Sequence, residues 1–150
     1  MSRSSLSFAL VAAASTALAG LLTACGTPPA DLDLSLQHPS VQRRFVVAME
    51  PPAQGPAVGQ MHAWRLKLAT AEGQPVSQAR ISIAGGMPQH GHGLPTQPRV
   101  TKEPILGTYV IEGMKFSMTG WWDLRLDIDA AGARDQAVFN LVMTDAGLQR

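Results

Sequence analysis

Cysteine is nearly absent from this chain. Its 150 residues contain one, Cys25. If that residue is spent on a modification, what remains has no thiol, no disulfide and no thiolate metal centre. Any metal must then be held by His, Met, carboxylate or backbone groups. An excess of charge of one sign is also missing: twelve Lys and Arg face eleven Asp and Glu. No basic patch stands out, which argues against a nucleic-acid partner. Catalytic signatures are lacking as well. There is no phosphate-cradling glycine loop leading into a helix, and no Ser, His and carboxylate cluster in a nucleophile context. Metal-assisted hydrolysis needs three strong ligands and an open position, and four histidines leave little to build it from. We therefore expect a binding module rather than an enzyme.

What is present begins with an address. Arg3 makes a short positive start, and Phe8 to Leu22 form an apolar stretch of about fifteen residues, short and Ala-rich for a membrane span. It ends in Leu22-Thr23-Ala24-Cys25, which resembles a bacterial lipobox. That resemblance implies cleavage before Cys25, diacylglycerol on its sulfur, and residence in the cell envelope on the periplasmic side. Gly26 stands where an Asp signals inner-membrane retention, so the outer membrane is favoured over the inner. Residues 1–24 are thus expected to be a signal peptide and 25–42, with Pro28, Pro29 and Pro39, a lipidated flexible tether. Losing Arg3 leaves eleven basic and eleven acidic residues, a mature net charge of zero. About 125 residues suffice for one core without staples.

From residue 43 to 150 the pattern predicts strand after short strand. Phe45, Val47 and Met49 alternate with Val46 and Ala48. Trp64, Leu66 and Leu68 alternate with Ala63, Arg65 and Lys67. Val76 to Ala84, with Ile81 and Ile83 inward, ends at Gly85-Gly86. Arg99–Thr101 and Tyr109–Ile111 follow. Trp122, Leu124, Leu126 and Ile128 against Asp123, Arg125, Asp127 and Asp129 is the alternation of a strand wet on one side only. A last strand carries Ala137, Phe139 and Leu141. About seven strands with turn signals between them predict an all-β, immunoglobulin-like β-sandwich, with a barrel as the alternative. Trp64, Trp122, Leu66, Leu124, Leu126, Ile81, Ile83 and Phe139 form its expected core.

Chemistry concentrates in Gly86-Met87-Pro88-Gln89-His90-Gly91-His92-Gly93. In an extended segment His90 and His92 point to one side, and the glycines let the backbone turn sharply. Two imidazoles can chelate Cu(II), and the Met87 thioether suits Cu(I). Met114 and Met118 are further candidate ligands. If the strand after Tyr109 runs regularly, Val110, Glu112, Met114, Phe116 and Met118 share one face, whereas a bulge at Gly113 breaks that register. A structural reading stands beside this one. The loop can be a plain crossover with Met87 plugging the core, and strand methionines commonly fill gaps. His62 is read as a strand-end histidine and His38 as part of the tether.

Met87-Pro88-x-His90-Gly91-His92-Gly93, then Pro98, Gly107-x-Tyr109 and Phe116-Ser117-Met118-x-Gly120-x-Trp122, resembles the YtkA-like family, which is related to FixH-like domains. The resemblance spans about residues 43–143, most closely 85–128. It implies an exported immunoglobulin-like sandwich associated with copper handling and oxidase maturation. Leu94 departs from it, standing where a methionine often follows the His-Gly-His-Gly run, which removes one soft ligand. The expected function is an envelope lipoprotein that binds copper through His90, His92, Met87, Met118 and Met114, with the membrane and an envelope protein as partners. The alternative is an interaction or scaffold domain that binds no metal.

Overall fold

The computed structural model describes residues 27–149. The expected signal peptide, residues 1–24, and Cys25 lie outside the described residues. Among those residues there is no helix, and none that could cross a membrane. The chain forms β1 (Gln37–Pro39), β2 (Phe45–Glu50), β3 (Met61–Thr70), β4 (Arg80–Met87), β5 (His92–Gly93), β6 (Arg99–Ile105), β7 (Thr108–Lys115), β8 (Gly120–Ala130), β9 (Ala133–Thr144) and β10 (Gly147–Leu148). The seven strands of six residues or more sit where the alternation places them. The three further strands have two or three residues each, too short to leave a period in the sequence.

All pairings are antiparallel, in the order β1-β2-β3-β7-β6-β4-β8-β9-β10, with β5 on β4. The sheet is strongly curled. Only one residue pair, Ser82 with Arg99, joins β4 to β6. The two halves therefore face each other as a β-sandwich with an open flank rather than as a barrel. On that flank the Val41 amide donates to the Gln136 carbonyl (2.7 Å). Side chains alternate across each strand, so one half contributes Phe45, Val47, Trp64, Leu66, Leu68, Tyr109 and Ile111 to the interior. The other contributes Trp122, Leu124, Leu126, Ile128, Phe139 and Leu141. Each such side chain contributes about 1.5–3 kcal/mol by leaving water.

Three expectations change. First, β4 does not stop at Gly85-Gly86 but runs through them to Met87, pairing Gly86 with Asp123 of β8 and with Gly93 of β5. A Cβ on Gly86 would meet the His92 carbonyl oxygen at 2.5 Å. The glycine is there because the β5 backbone occupies the space its side chain would take, not because the strand ends. Ile83 of the same strand is only partly buried.

Second, the Tyr109–Met118 segment does not keep its register. Gly113 takes a left-handed φ of +85°, and opposite it β3 pairs Trp64 with Ile111 but His62 with Met114. The extra residue is a bulge, which turns the faces over. Tyr109 and Ile111 point inward before it, and Met114 and Phe116 point inward after it. Val110, Glu112 and Met114 thus share no face.

Third, the segment before Ser40 lies along the domain instead of leading away from it. Leu32, Leu34, Leu36 and His38 are half-buried in alternation with exposed Asp31, Asp33, Ser35 and Gln37. The Met49 amide donates to the Leu36 carbonyl (2.7 Å), and the His38 ring packs on Phe139 with centroids 4.3 Å apart.

Candidate functional site

The hairpin between β4 and β5 is built from a tight turn. The amides of His90 and Gly91 both donate to the Met87 carbonyl at 3.0 Å. Gly91 then reverses the chain with a φ of +68°, a left-handed conformation that only glycine adopts without penalty. Pro88 supplies the fixed φ that suits the first position of such a turn. The hairpin is held to β8 by the Gly86 amide donating to Asp123 Oδ1 (3.0 Å), and its two arms are joined by the Leu94 amide donating to the Gly85 carbonyl of β4 (3.0 Å). Leu94, where a methionine was the alternative, packs its side chain partly against the core.

The turn presents both imidazoles to solvent. Their ring centroids are 5.8 Å apart and tilted by 32°. Two imidazoles on one ion, with metal–nitrogen bonds of about 2.0–2.1 Å, have ring centres roughly 5–6 Å apart. The spacing of the two rings falls within that range.

Met87 is the Cα partner of His92. Residues so opposed carry their side chains on one face with Cβ atoms about 4.5–5.5 Å apart. Met87 is nonetheless only 1% exposed, and a Cβ on Gly120 would meet its Cε at 2.8 Å. The thioether therefore lies beneath His92, on the core side. Trp122 forms the wall next to it: its ring meets the His92 ring edge-on at 6.3 Å. Its Nε1 donates to the Met118 carbonyl (3.2 Å), which ties the 116–119 loop to the same place. The Met118 side chain is 41% exposed.

Met114 does not join this group. The bulge at Gly113 pairs it with His62, fully buried in the other half of the sandwich. From His62 the rings run inward through Phe116 (6.5 Å) to Trp122 (5.4 Å), with Trp64 edge-on to Phe116. His62 Nε2 accepts the Ala57 amide at 2.9 Å. Burial lowers its pKa below the usual histidine value, against main-chain hydrogen bonds with Met114 and Ala57 that act the other way. It is a neutral, structural imidazole.

Among the described residues no three His, Cys, Asp or Glu side chains converge as a metal cluster. Of the expected ligands, the fold sets Met87 opposite His92, His90 beside His92, His92 against Trp122, and the Met118 main chain on the same tryptophan. Trp122 was read from the sequence only as core. Its contact with His92 has no sequence signal, because it depends on how β8 packs under the hairpin.

A family model described as YtkA-like matches residues 41–127. No curated protein matches the chain. Among solved structures the chain is similar to the ZirS C-terminal domain, at 14% identity and a TM-score of 0.39, over 93% of this chain and 86% of that one.

Proposed function

The chain belongs to the YtkA-like family, and from that premise we propose that it is a cell-envelope lipoprotein that binds copper at the His90/His92 hairpin. The observation that supports metal binding is the imidazole pair, 5.8 Å apart on a turn fixed by its own hydrogen bonds. The ring spacing matches that of two imidazoles sharing one ion. Imidazole suits Cu(II), and thioethers, from Met87 opposite His92 and from Met118 in the adjoining loop, suit Cu(I). Met114 is left out of the proposed ligand set because the bulge pairs it with His62 and not with the hairpin. The role that fits such a site is holding or passing on copper in the envelope, including during oxidase maturation.

Trp122 makes binding measurable, because a paramagnetic Cu(II) at His92 quenches a neighbouring indole. Titration of the soluble domain with Cu(II) should give a saturable fall in fluorescence with one-to-one stoichiometry. His90→Ala/His92→Ala should abolish it. Protons compete with metal for imidazole nitrogen, so the affinity should weaken from pH 7 to pH 5. Met87→Leu, a volume-conserving core change that costs less than about 1.5 kcal/mol, should weaken Cu(I) only. A quenching isotherm unchanged in the double histidine variant defeats the proposal. A second reading then takes over, supported by the burial of Met87: an interaction domain whose hairpin only closes one end of the sandwich.

A further inference from the structure

We infer that the His90/His92 end of the sandwich is held against the bilayer surface that anchors the chain, with the Ile105–Leu106 turn pointing away from it. The inference rests on the lipoprotein reading above and adds to it which face of the domain meets the lipid headgroups.

The direction comes from the segment 27–40, which is fixed to the domain at three successive points. At one end of the sandwich Ser40 Oγ donates to Asp135 Oδ2 at 2.6 Å. Midway, Asn140 Nδ2 donates to the Asp33 carbonyl at 3.2 Å. At the other end Gln89 Nε2, in the histidine turn itself, donates to the Thr27 carbonyl at 2.8 Å. The strand registers order these points. Asp135 faces Ile128 of β8, Asn140 faces Asp123, and Asp123 faces Gly86 beside the hairpin. Traced backwards from Ser40, the chain therefore runs the length of the sandwich and arrives at the histidine turn. The half-buried Leu32, Leu34 and Leu36 keep it there.

Thr27 is two residues from Cys25, and an extended chain covers at most about 3.6 Å per residue. A lipid on Cys25 thus holds the histidine end within roughly 10 Å of the headgroups. The opposite end is far away, since the eleven residues of β8 span about 35 Å. Thr70 and Thr108 place the Ile105–Leu106 turn at that far end, with Phe45 and Ser40.

The test uses the full-length protein purified from membranes and reconstituted in phosphatidylcholine–phosphatidylglycerol vesicles carrying a headgroup nitroxide. A fluorophore is attached through Gln60→Cys, exposed at the near end beside Met61, or through Leu106→Cys at the far end. Intact mass reports whether Cys25 carries its acyl groups. The expected result is an acylated protein whose label at 60 loses more than half its emission to the nitroxide, while the label at 106 keeps nearly all of it. Equal quenching at the two positions, or stronger quenching at 106, overturns the orientation alone. A protein whose mass shows no acyl groups overturns the lipoprotein reading, and this inference with it.

Discussion

Asp135 is a buried carboxylate whose removal should cost more than that of any other charged side chain of the domain. It is 5% exposed and accepts four hydrogen bonds. Oδ1 receives the amides of Gln42 (3.0 Å) and Gln136 (2.7 Å), and Oδ2 receives Ser40 Oγ (2.6 Å) and the Arg44 amide (3.2 Å). Hydrogen bonds to a charged group contribute about 1.5–3 kcal/mol each, but these four are not additive. Ser40 Oγ can still donate to the Phe45 carbonyl (3.1 Å), and the Gln42 and Arg44 amides lie in an exposed turn where water can replace the carboxylate. Only the Gln136 amide is then left without a partner, so Asp135→Ala should cost about 1.5–3 kcal/mol. Asp135→Asn keeps one carbonyl oxygen and should cost less than the alanine variant.

Acid provides a second reading of the same group. Burial raises the Asp135 pKa, but the hydrogen bonds from Ser40, Gln42, Gln136 and Arg44 together outweigh it, so the folded-state value lies below the usual one. A depressed carboxylate stabilises fully above its unfolded pKa of about 3.9, and that stability is lost as pH falls through the folded value. Urea unfolding followed by tryptophan fluorescence should therefore show the gap between wild type and Asp135→Asn widest at neutral pH and closing below about pH 4. A cost under about 1 kcal/mol for the alanine variant, or a gap that does not change with acid, would refute the reasoning.

Other consequences follow from the strand faces and from His62. Leu124→Ala empties a fully buried site and should lower stability by about 2–5 kcal/mol. Arg125→Ala, on the wet face beside Asp123, should stay within about 0.5 kcal/mol; similar losses in urea unfolding would mean the faces are misassigned. The lowered pKa of His62 means the unfolded chain binds protons more readily, so its stabilisation is complete above about pH 6.5 and falls as pH drops below that. His62→Gln keeps an acceptor for the Ala57 amide without titrating. It should flatten the decline in urea midpoint between pH 7 and pH 5, and an unchanged slope would place the titrating group elsewhere.

Much of this protein follows from sequence alone, and the reason is local. Period-two alternation is a property of each strand by itself, because successive side chains leave opposite faces. Phe45/Val47, Trp64/Leu66/Leu68, Trp122/Leu124/Leu126 and Ala137/Phe139 therefore announce both the strand and its buried side. The sharp turn at the histidines is equally local, since Pro88 and Gly91 favour it, although the pattern predicts a loop after a strand ending at Gly85-Gly86 and not a hairpin. The same alternation in Leu32, Leu34, Leu36 and His38 was legible too, but the flanking prolines and aspartates made it look like a linker.

Tertiary structure decided what depends on distant partners. Gly85 and Gly86 read as a stop until β8 and β5 are seen closing on them from both sides. The bulge at Gly113 exists only because β3 and β7 pair there, and it sends Met114 into the core, away from the histidines. Trp122 comes beneath His92 because β8 lies next to β4, a pairing between residues 37 to 49 positions apart that leaves no trace in either segment. The chain's first described residue reaches the histidine turn for the same reason: only packing along the whole sandwich brings Thr27 to Gln89.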